Sequence, residues 1–476
     1  MAGTPLASLE ILVLIVSAPL LVFPSSYSFV ALLLLPAIWL ARLVARRNTL
    51  RRTPADWPLV GLVLMTLVSL YPSVDLSASR PKLYGLLLGF YIFGLVAEHL
   101  RTESLRKALA FVLVVGGVGI ALLGVLGTEW KIQKFSFLGP LYDKRPQLIT
   151  EVQTSFGTLK EGFHPNEVGG ILTLLLLFAI GLAVFSQHRT ARFMLAGTAV
   201  LMFGTLALTA SRSAILGAGV SIVILTILRW PRLLLPLTAA LFGLAAVLWG
   251  LGAGNLASWI IEMDVATGSS IQGRPEIWIR SYAMMQDFFF TGIGLNTFPI
   301  VSSTLYPFFL VAPSVQLPHA HNLFLQIALD LGVPGLVSFL GLLGVAVISL
   351  VRWSRLSMGW ERGLAAGLGF GLLAHFIFGL TDAMTLGAKP GAFLWAMLGT
   401  AVALGASARE RASPEANSNP QFFSENVEEQ PSGEGQSKIK ASPVGVGLLQ
   451  LLQWALFSVA CGLGVYIAVT NATVLH

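Results

Sequence analysis

Apolar runs of about 20 residues, the length that spans a bilayer, alternate along this chain with short polar breaks. Thirteen are predicted as helices, near 6–24, 27–44, 57–72, 81–98, 108–127, 166–186, 193–210, 213–228, 233–252, 322–351, 361–380, 390–406 and 444–469. The first has no basic stretch before it and no small-residue cleavage site after it, so it reads as a retained helix rather than a signal peptide. Two connections on one side are long, 128–165 and 253–321, and the second holds a predicted amphipathic helix that begins at Arg274-Pro275-Glu276. Residues 407–443 are rich in Ser, Pro, Glu, Asn and Gln without apolar periodicity and read as a disordered tether. The expected fold is therefore all-α, a polytopic membrane bundle of 12–13 helices. It divides into a membrane domain at 1–406, the tether, and an extra C-terminal helix within 444–476.

Composition agrees with the pattern. Of the 476 residues 55% are hydrophobic and 11% charged, against about 25% charged in an ordinary soluble domain, and mean hydropathy is +0.78. So little charge cannot cover a water-soluble surface, which excludes a soluble enzyme. The lone Cys461, inside an apolar run, excludes an intramolecular disulfide and a cysteine-ligated metal. The net charge of +7 first resembles a nucleic-acid signal, but its distribution gives another reading. With a cytoplasmic N-terminus, 19 of the 30 Lys and Arg residues fall on inside segments, as the positive-inside rule requires. The expectation is an inner-membrane protein with bilayer lipid rather than nucleic acid as its partner.

Carboxylates within the spans are few, mainly Glu10, Glu98 and Asp330, which weighs against an ion-coupled transporter. Polar residues collect instead at the outer ends of the helices that run inward. Arg80-Pro81-Lys82 precedes the fourth span, His164-Pro165-Asn166 the sixth, Ser211-Arg212-Ser213 the eighth and His319-Ala320-His321-Asn322 the tenth. Pro at the first helical position, or a Ser or Asn cap, marks such starts. Helix N-termini carry unpaired N–H groups and partial positive charge, so several beside cations form an anion site. A phosphate-bearing ligand at the outer surface is expected.

Each feature also has a plainer reading. Arg80 and Lys82 can serve lipid headgroups as easily as a substrate. Arg212 occupies a connection of two or three residues, where Gly, Asn or Ser is usual, and functional use is the better reading. Arg280, with Glu276 one turn before it and Asp287 two turns after, reads as a salt-bridge residue. The stripe Trp278, Tyr282, Met285, Phe289 reads as packing against the membrane surface. His319 and His321 would share a face on a strand but not on a helix. With no cysteine and no acidic third ligand evident nearby, no metal is expected. A histidine at a helix N-terminus is disfavoured as a cation, and a neutral imidazole can act as a general base.

In three stretches the sequence resembles the O-antigen ligase/polymerase superfamily of multi-spanning glycosyltransferases. HAHNLFLQIALDLGVPGL carries His321-Asn322, nine residues and then Gly332-x-x-Gly335, similar to the ligase pattern. Arg212-Ser-Ala-Ile-Leu216 is similar to the family's Arg-x-x-x-Leu at an external helix start, and GRPEIWIRSYAMMQDFFFTGIGLNTF supplies Arg274, Trp278 and the Gly292-x-Gly294 turn. FHPNEVGG around Asn166 is a weaker match, and the resemblance covers roughly residues 155–400.

The resemblance implies a polyprenyl-diphosphate-linked glycan donor at the external leaflet and a glycolipid or polysaccharide acceptor, with no ATP, metal or other cofactor. It implies that Arg212 and Arg274 bind the diphosphate, that His321 deprotonates the acceptor hydroxyl, and that the anomeric configuration inverts. Asn322, His319, Asn166, Arg80 and Lys82 are the further substrate-positioning candidates. The segment after residue 406 goes beyond the twelve-helix ligase arrangement. A repeat-unit polymerase remains the alternative, and from a different class a small-anion transporter of the bicarbonate type.

Overall fold

The computed structural model describes residues 5–46, 53–128, 152–154, 157–159, 163–250, 273–310, 317–411 and 455–465. In chain order these form α1 (Pro5–Val22), α2 (Ser28–Arg46), α3 (Asp56–Val68), α4 (Leu76–His99) and α5 (Glu103–Gly127), then the strands β1 (Val152–Thr154) and β2 (Gly157–Leu159). They continue as α6 (Pro165–Phe185), α7 (Arg189–Leu208), α8 (Arg212–Arg229), α9 (Leu234–Gly250), α10 (Gly273–Asp287), α11 (Phe298–Leu305), α12 (Leu323–Leu356), α13 (Gly359–Gly379) and α14 (Gly391–Arg411). The last is α15 (Ala455–Val465). Each of the thirteen predicted spans overlaps one of these helices, although α3 has only 13 residues. The protein is an all-α polytopic membrane bundle with a small antiparallel hairpin. Among the described residues eight helices, α4 to α8 and α12 to α14, are long and apolar enough to cross a bilayer.

The outer faces of the spans carry exposed Phe111, Phe193, Val200, Leu216 and Leu228, side chains that water would penalise and lipid accepts. Inside, α6 is buried along nearly its whole length and lies against α13. A Cβ at Gly181 would stand 2.4 Å from the Gly367 Cα, so the two backbones touch without side chains between them. Helix α8 also approaches α13 closely, where a Cβ at Gly217 would meet the Ala374 carbonyl oxygen at 2.4 Å.

One end of the bundle is tied by charges. Arg106 of α5 pairs with Glu361 of α13 at 2.7 Å, and Arg411 lies 4.2 Å over the ring of Trp353. In the same way Glu103 accepts from the Trp360 indole at 3.0 Å. Nearby, His99 at the end of α4 pairs with buried Glu10 of α1. Helix α15 docks on the first helices, where Phe457 stacks on Trp39 and the Tyr84 hydroxyl donates to the Gly464 carbonyl at 3.1 Å.

At the opposite end lie the described parts of the two long connections. Phe163 N donates to Gly127 O at 2.8 Å and closes the base of the first, which contains the β1–β2 pair in register Val152 to Leu159. The second contains α10 and α11, with a small core of their own built on Ile277, Met284, Ile293, Phe298, Val301, Ala320 and Leu329. Trp278 and Met285 pack on that core, whereas Tyr282 and Phe289 are exposed, so only half of the predicted stripe faces outward. Helix α14 runs five residues past the expected boundary at 406, and the expected tether beyond residue 411 lies outside the described residues.

Candidate active site

Helix α12 is broken where the sequence reads Gly332-x-x-Gly335. Gly332 has φ +70, and Pro334 follows. The break frees the Leu329 carbonyl and the Val333 N–H, which pair with Ile293 N at 2.7 Å and Phe289 O at 2.8 Å in the turn after α10. That turn is the Gly292-x-Gly294 stretch, with φ values of +68 and +100. Two glycine motifs legible separately in the sequence thus interlock. A Cβ at Gly332 would fall 2.3 Å from Phe290 O, and one at Gly292 would fall 2.5 Å from Leu329 O.

Upstream of the break, Asn322 caps α12 by accepting from the N–H groups of Phe324 and Leu325 at 3.0 Å. Its own amide donates to the Leu380 carbonyl at 2.9 Å, just past the end of α13. The preceding His319 and His321 lie on neither strand nor helix. His321 adopts φ +48, and the rings meet edge to face with centroids 4.5 Å apart. A non-glycine residue in this region costs about 1–3 kcal/mol and persists only where neighbours fix it. Here the Trp278 indole of α10 donates to His321 O at 3.4 Å, and His321 N donates to the His319 Nδ1 at 3.2 Å.

Asp382, which sequence reasoning missed, lies at the centre of the group with its side chain 4% exposed. Its Oδ2 accepts from the Asn166 amide at 2.7 Å. Its Oδ1 accepts from Ala383 N at 2.8 Å and faces His321 Nδ1 at 3.5 Å and His319 Nε2 at 3.7 Å. Asn166 is placed by α6, whose first residue Pro165 follows the His164 cap. The signal available in the sequence was a lone carboxylate in the outward connection between the spans at 361–380 and 390–406.

The electrostatics follow from this burial. Burial pushes the His319 imidazole down to about 3, and the charge of Asp382 only partly opposes that. For Asp382, burial pushes the carboxyl up. The His321 and His319 rings facing it and the Ala383 N–H outweigh it and hold the carboxyl below the usual carboxylate range. A proton on His321 Nδ1 would face the carboxylate at 3.5 Å and would leave Nε2 with its lone pair. His319 Nδ1 already accepts, so its proton sits on Nε2.

The expectation of no metal rested on a missing acidic ligand, and Asp382 supplies one. Ligand atoms of His319, His321 and Asp382 all lie within 4.8 Å of one another, close enough for a single divalent cation to touch all three. The same three residues also set two imidazoles against one carboxylate.

The other candidates separate into two groups. Lys82 is buried and donates to both oxygens of Asp330, at 2.9 and 3.1 Å, so its ammonium is committed within the protein rather than presented to solvent. Helix α4 starts at Leu76, capped by Asp75, which puts Pro81 inside the helix rather than at its first position. Arg80, on the first turns of α4, has its Nε buried without a hydrogen-bond partner. Arg212 is exposed as the first residue of α8, and Ser211 and Ala214 of that turn face Gly169, one turn along α6 from Asn166. Arg274 is half-buried on α10, one turn before Trp278. The expected salt bridge of Arg280 takes another form. Glu276 accepts from the Phe309 and Leu310 N–H groups at 2.7 Å each, Asp287 accepts from the Tyr306 hydroxyl, and the Arg280 guanidinium lies 5.1 Å over the Phe309 ring.

No curated protein matches the chain. A family model for O-antigen ligase matches residues 197–340. The matched stretch holds Arg212, Arg274, His319, His321, Asn322 and the interlocked glycines, while Asn166 and Asp382 come to the site from outside it. Over that stretch, less than half of the chain, the protein is similar to the O-antigen ligase family.

Proposed function

We propose that the protein is a membrane glycosyltransferase that moves a glycan from a polyprenyl diphosphate to an acceptor hydroxyl at the external face of the inner membrane. The observation that carries this reading is the Asp382 carboxylate facing His321 Nδ1 at 3.5 Å, within a chain that carries the O-antigen ligase match. A carboxylate that fixes the tautomer leaves His321 Nε2 free to take a proton, and it stabilises the imidazolium that results.

In the proposed step the acceptor hydroxyl gives its proton to His321 Nε2 while its oxygen attacks the anomeric carbon. The bond from that carbon to the diphosphate oxygen breaks on the opposite side, so the configuration inverts and the diphosphate leaves with the electron pair. Arg212 and Arg274 bind the departing diphosphate, a task suited to a planar guanidinium that stays charged and pairs in two-pronged fashion. His319, held neutral by burial, adds no competing positive charge beside the base. The residues need no nucleotide, since the diphosphate ester carries its own leaving group.

The test is reconstitution of purified protein with a polyprenyl-diphosphate glycan and a glycolipid acceptor, with the product's anomeric configuration read by NMR. Inverted product is expected. Retained configuration, or no transfer from any such donor, would overturn the reading. Arg212→Lys and Arg274→Lys should both fail if paired geometry matters, and rescue by Lys would show that charge suffices. In a deletion strain, long glycan accumulating on the carrier assigns the protein as ligase, whereas acceptor with single repeat units assigns it as polymerase.

A further inference from the structure

At the start of α12, the cap Asn322 and then Gln326 and Asp330 recur every four residues along one side. Asn322 caps the helix, and the other two are buried. Gln326 uses both ends of its amide. Its Nε2 donates to Asp330 Oδ1 at 2.9 Å, and its Oε1 accepts from the Ala320 N–H at 2.8 Å. Asp330 is held in turn by Lys82 of α4 at 2.9 Å and by Asn296 N of the glycine turn at 3.4 Å. Ala320, fully buried, is the residue between His319 and His321. The chain Lys82–Asp330–Gln326 therefore ends on the backbone that carries both imidazoles.

We propose that Lys82, Asp330 and Gln326 are positioning residues that hold the backbone of residues 319–321 in the shape that presents His321 to the acceptor. The proposal rests on the reading of His321 as the base. It gives Lys82 a different task from a grip on the donor's phosphates. The chemistry of the three side chains fits a strut. The amide of Gln326 offers one donor to a carboxylate and one acceptor to an N–H. The Lys82–Asp330 pair leaves neither charge exposed in a buried setting where an unpaired one would force rearrangement. The left-handed φ of His321 needs such over-determination. The same carboxylate takes the Asn296 N–H, so the strut also joins the turn after α10 to the site.

The proposal separates kcat from KM. Gln326→Met keeps approximate volume and removes both hydrogen bonds. It should lower kcat about tenfold or more, since small misplacements of a reacting group are costly, while KM for the polyprenyl-diphosphate glycan stays within about threefold. Lys82→Met alone strands the Asp330 carboxylate and should show the same pattern. Lys82→Met combined with Asp330→Asn removes both charges and keeps an acceptor for Gln326, and it should recover most of the kcat lost in Lys82→Met. Size-exclusion profiles and thermal unfolding in detergent verify that each variant is folded. Wild-type kcat in folded Gln326→Met would overturn the proposal. So would Lys82→Met with a raised donor KM and unchanged kcat, or failure of the double variant to recover. His321→Ala, run in parallel, keeps the two readings apart. Activity retained there refutes the base itself, whereas its loss together with full activity of Gln326→Met refutes only the strut.

Discussion

The Asp382 carboxylate accepts the Asn166 side-chain amide at 2.7 Å, joining the start of α6 to the chain just past α13. The bond leaves the other carboxylate oxygen facing both histidines, at 3.5 Å from His321 Nδ1 and 3.7 Å from His319 Nε2.

Asp382→Asn keeps the size of the side chain but can no longer enforce a proton on His321 Nδ1. Transfer should fall about 10²-fold or more with donor KM little changed, as a base in the wrong tautomer loses its lone pair. Initial rates at saturating donor measure this, and near wild-type turnover would show that the carboxylate does not orient the base.

Acid should destabilise the fold through His319. Its folded pKa of about 3 lies below the ordinary 6.5, so below pH 6.5 the unfolded chain binds a proton that the folded site refuses. Stability therefore declines as pH falls from about 6.5 towards 3. Melting temperatures in detergent from pH 7.5 to 4.5 should drop less steeply for His319→Gln than for wild type.

Gly332→Ala places a Cβ 2.3 Å from Phe290 O at a φ of +70. A loss of about 2 kcal/mol or more is expected from the strained φ and the clash. A lowered melting temperature, or poor recovery from the membrane, is the readout.

The three potential ligand atoms at the site make metal dependence a direct question. If the imidazoles act as base and neighbour, extended treatment with a chelator should leave transfer unchanged. Loss on chelation, restored by zinc or another divalent cation, would move His321 from base to ligand.

Much of the bundle was legible because a spanning helix needs a long apolar run, and such runs can be counted in the sequence. The polar starts of α6 and α12 were legible as well, since caps and prolines follow local rules, whereas Ser211 before α8 makes no side-chain cap. Less visible was anything that depends on which helix ends meet. Asp382 has no local pattern around it, and its importance comes from α6, α12 and α13 converging. Lys82 looked like a free cation at a helix start, and only the packing of α4 on the broken helix α12 revealed Asp330 as its partner. The Asn322, Gln326, Asp330 ladder was present in the sequence at a spacing of four, but its purpose depends on the Ala320 N–H it reaches.

The central claim is that His321 takes the acceptor's proton. The most direct measurement is kcat for glycan transfer by purified His321→Ala against wild type, with the same lipid-linked donor and with folding verified. A fall of about 10²–10⁴-fold with donor binding intact is predicted. Turnover within a few fold of wild type would contradict it.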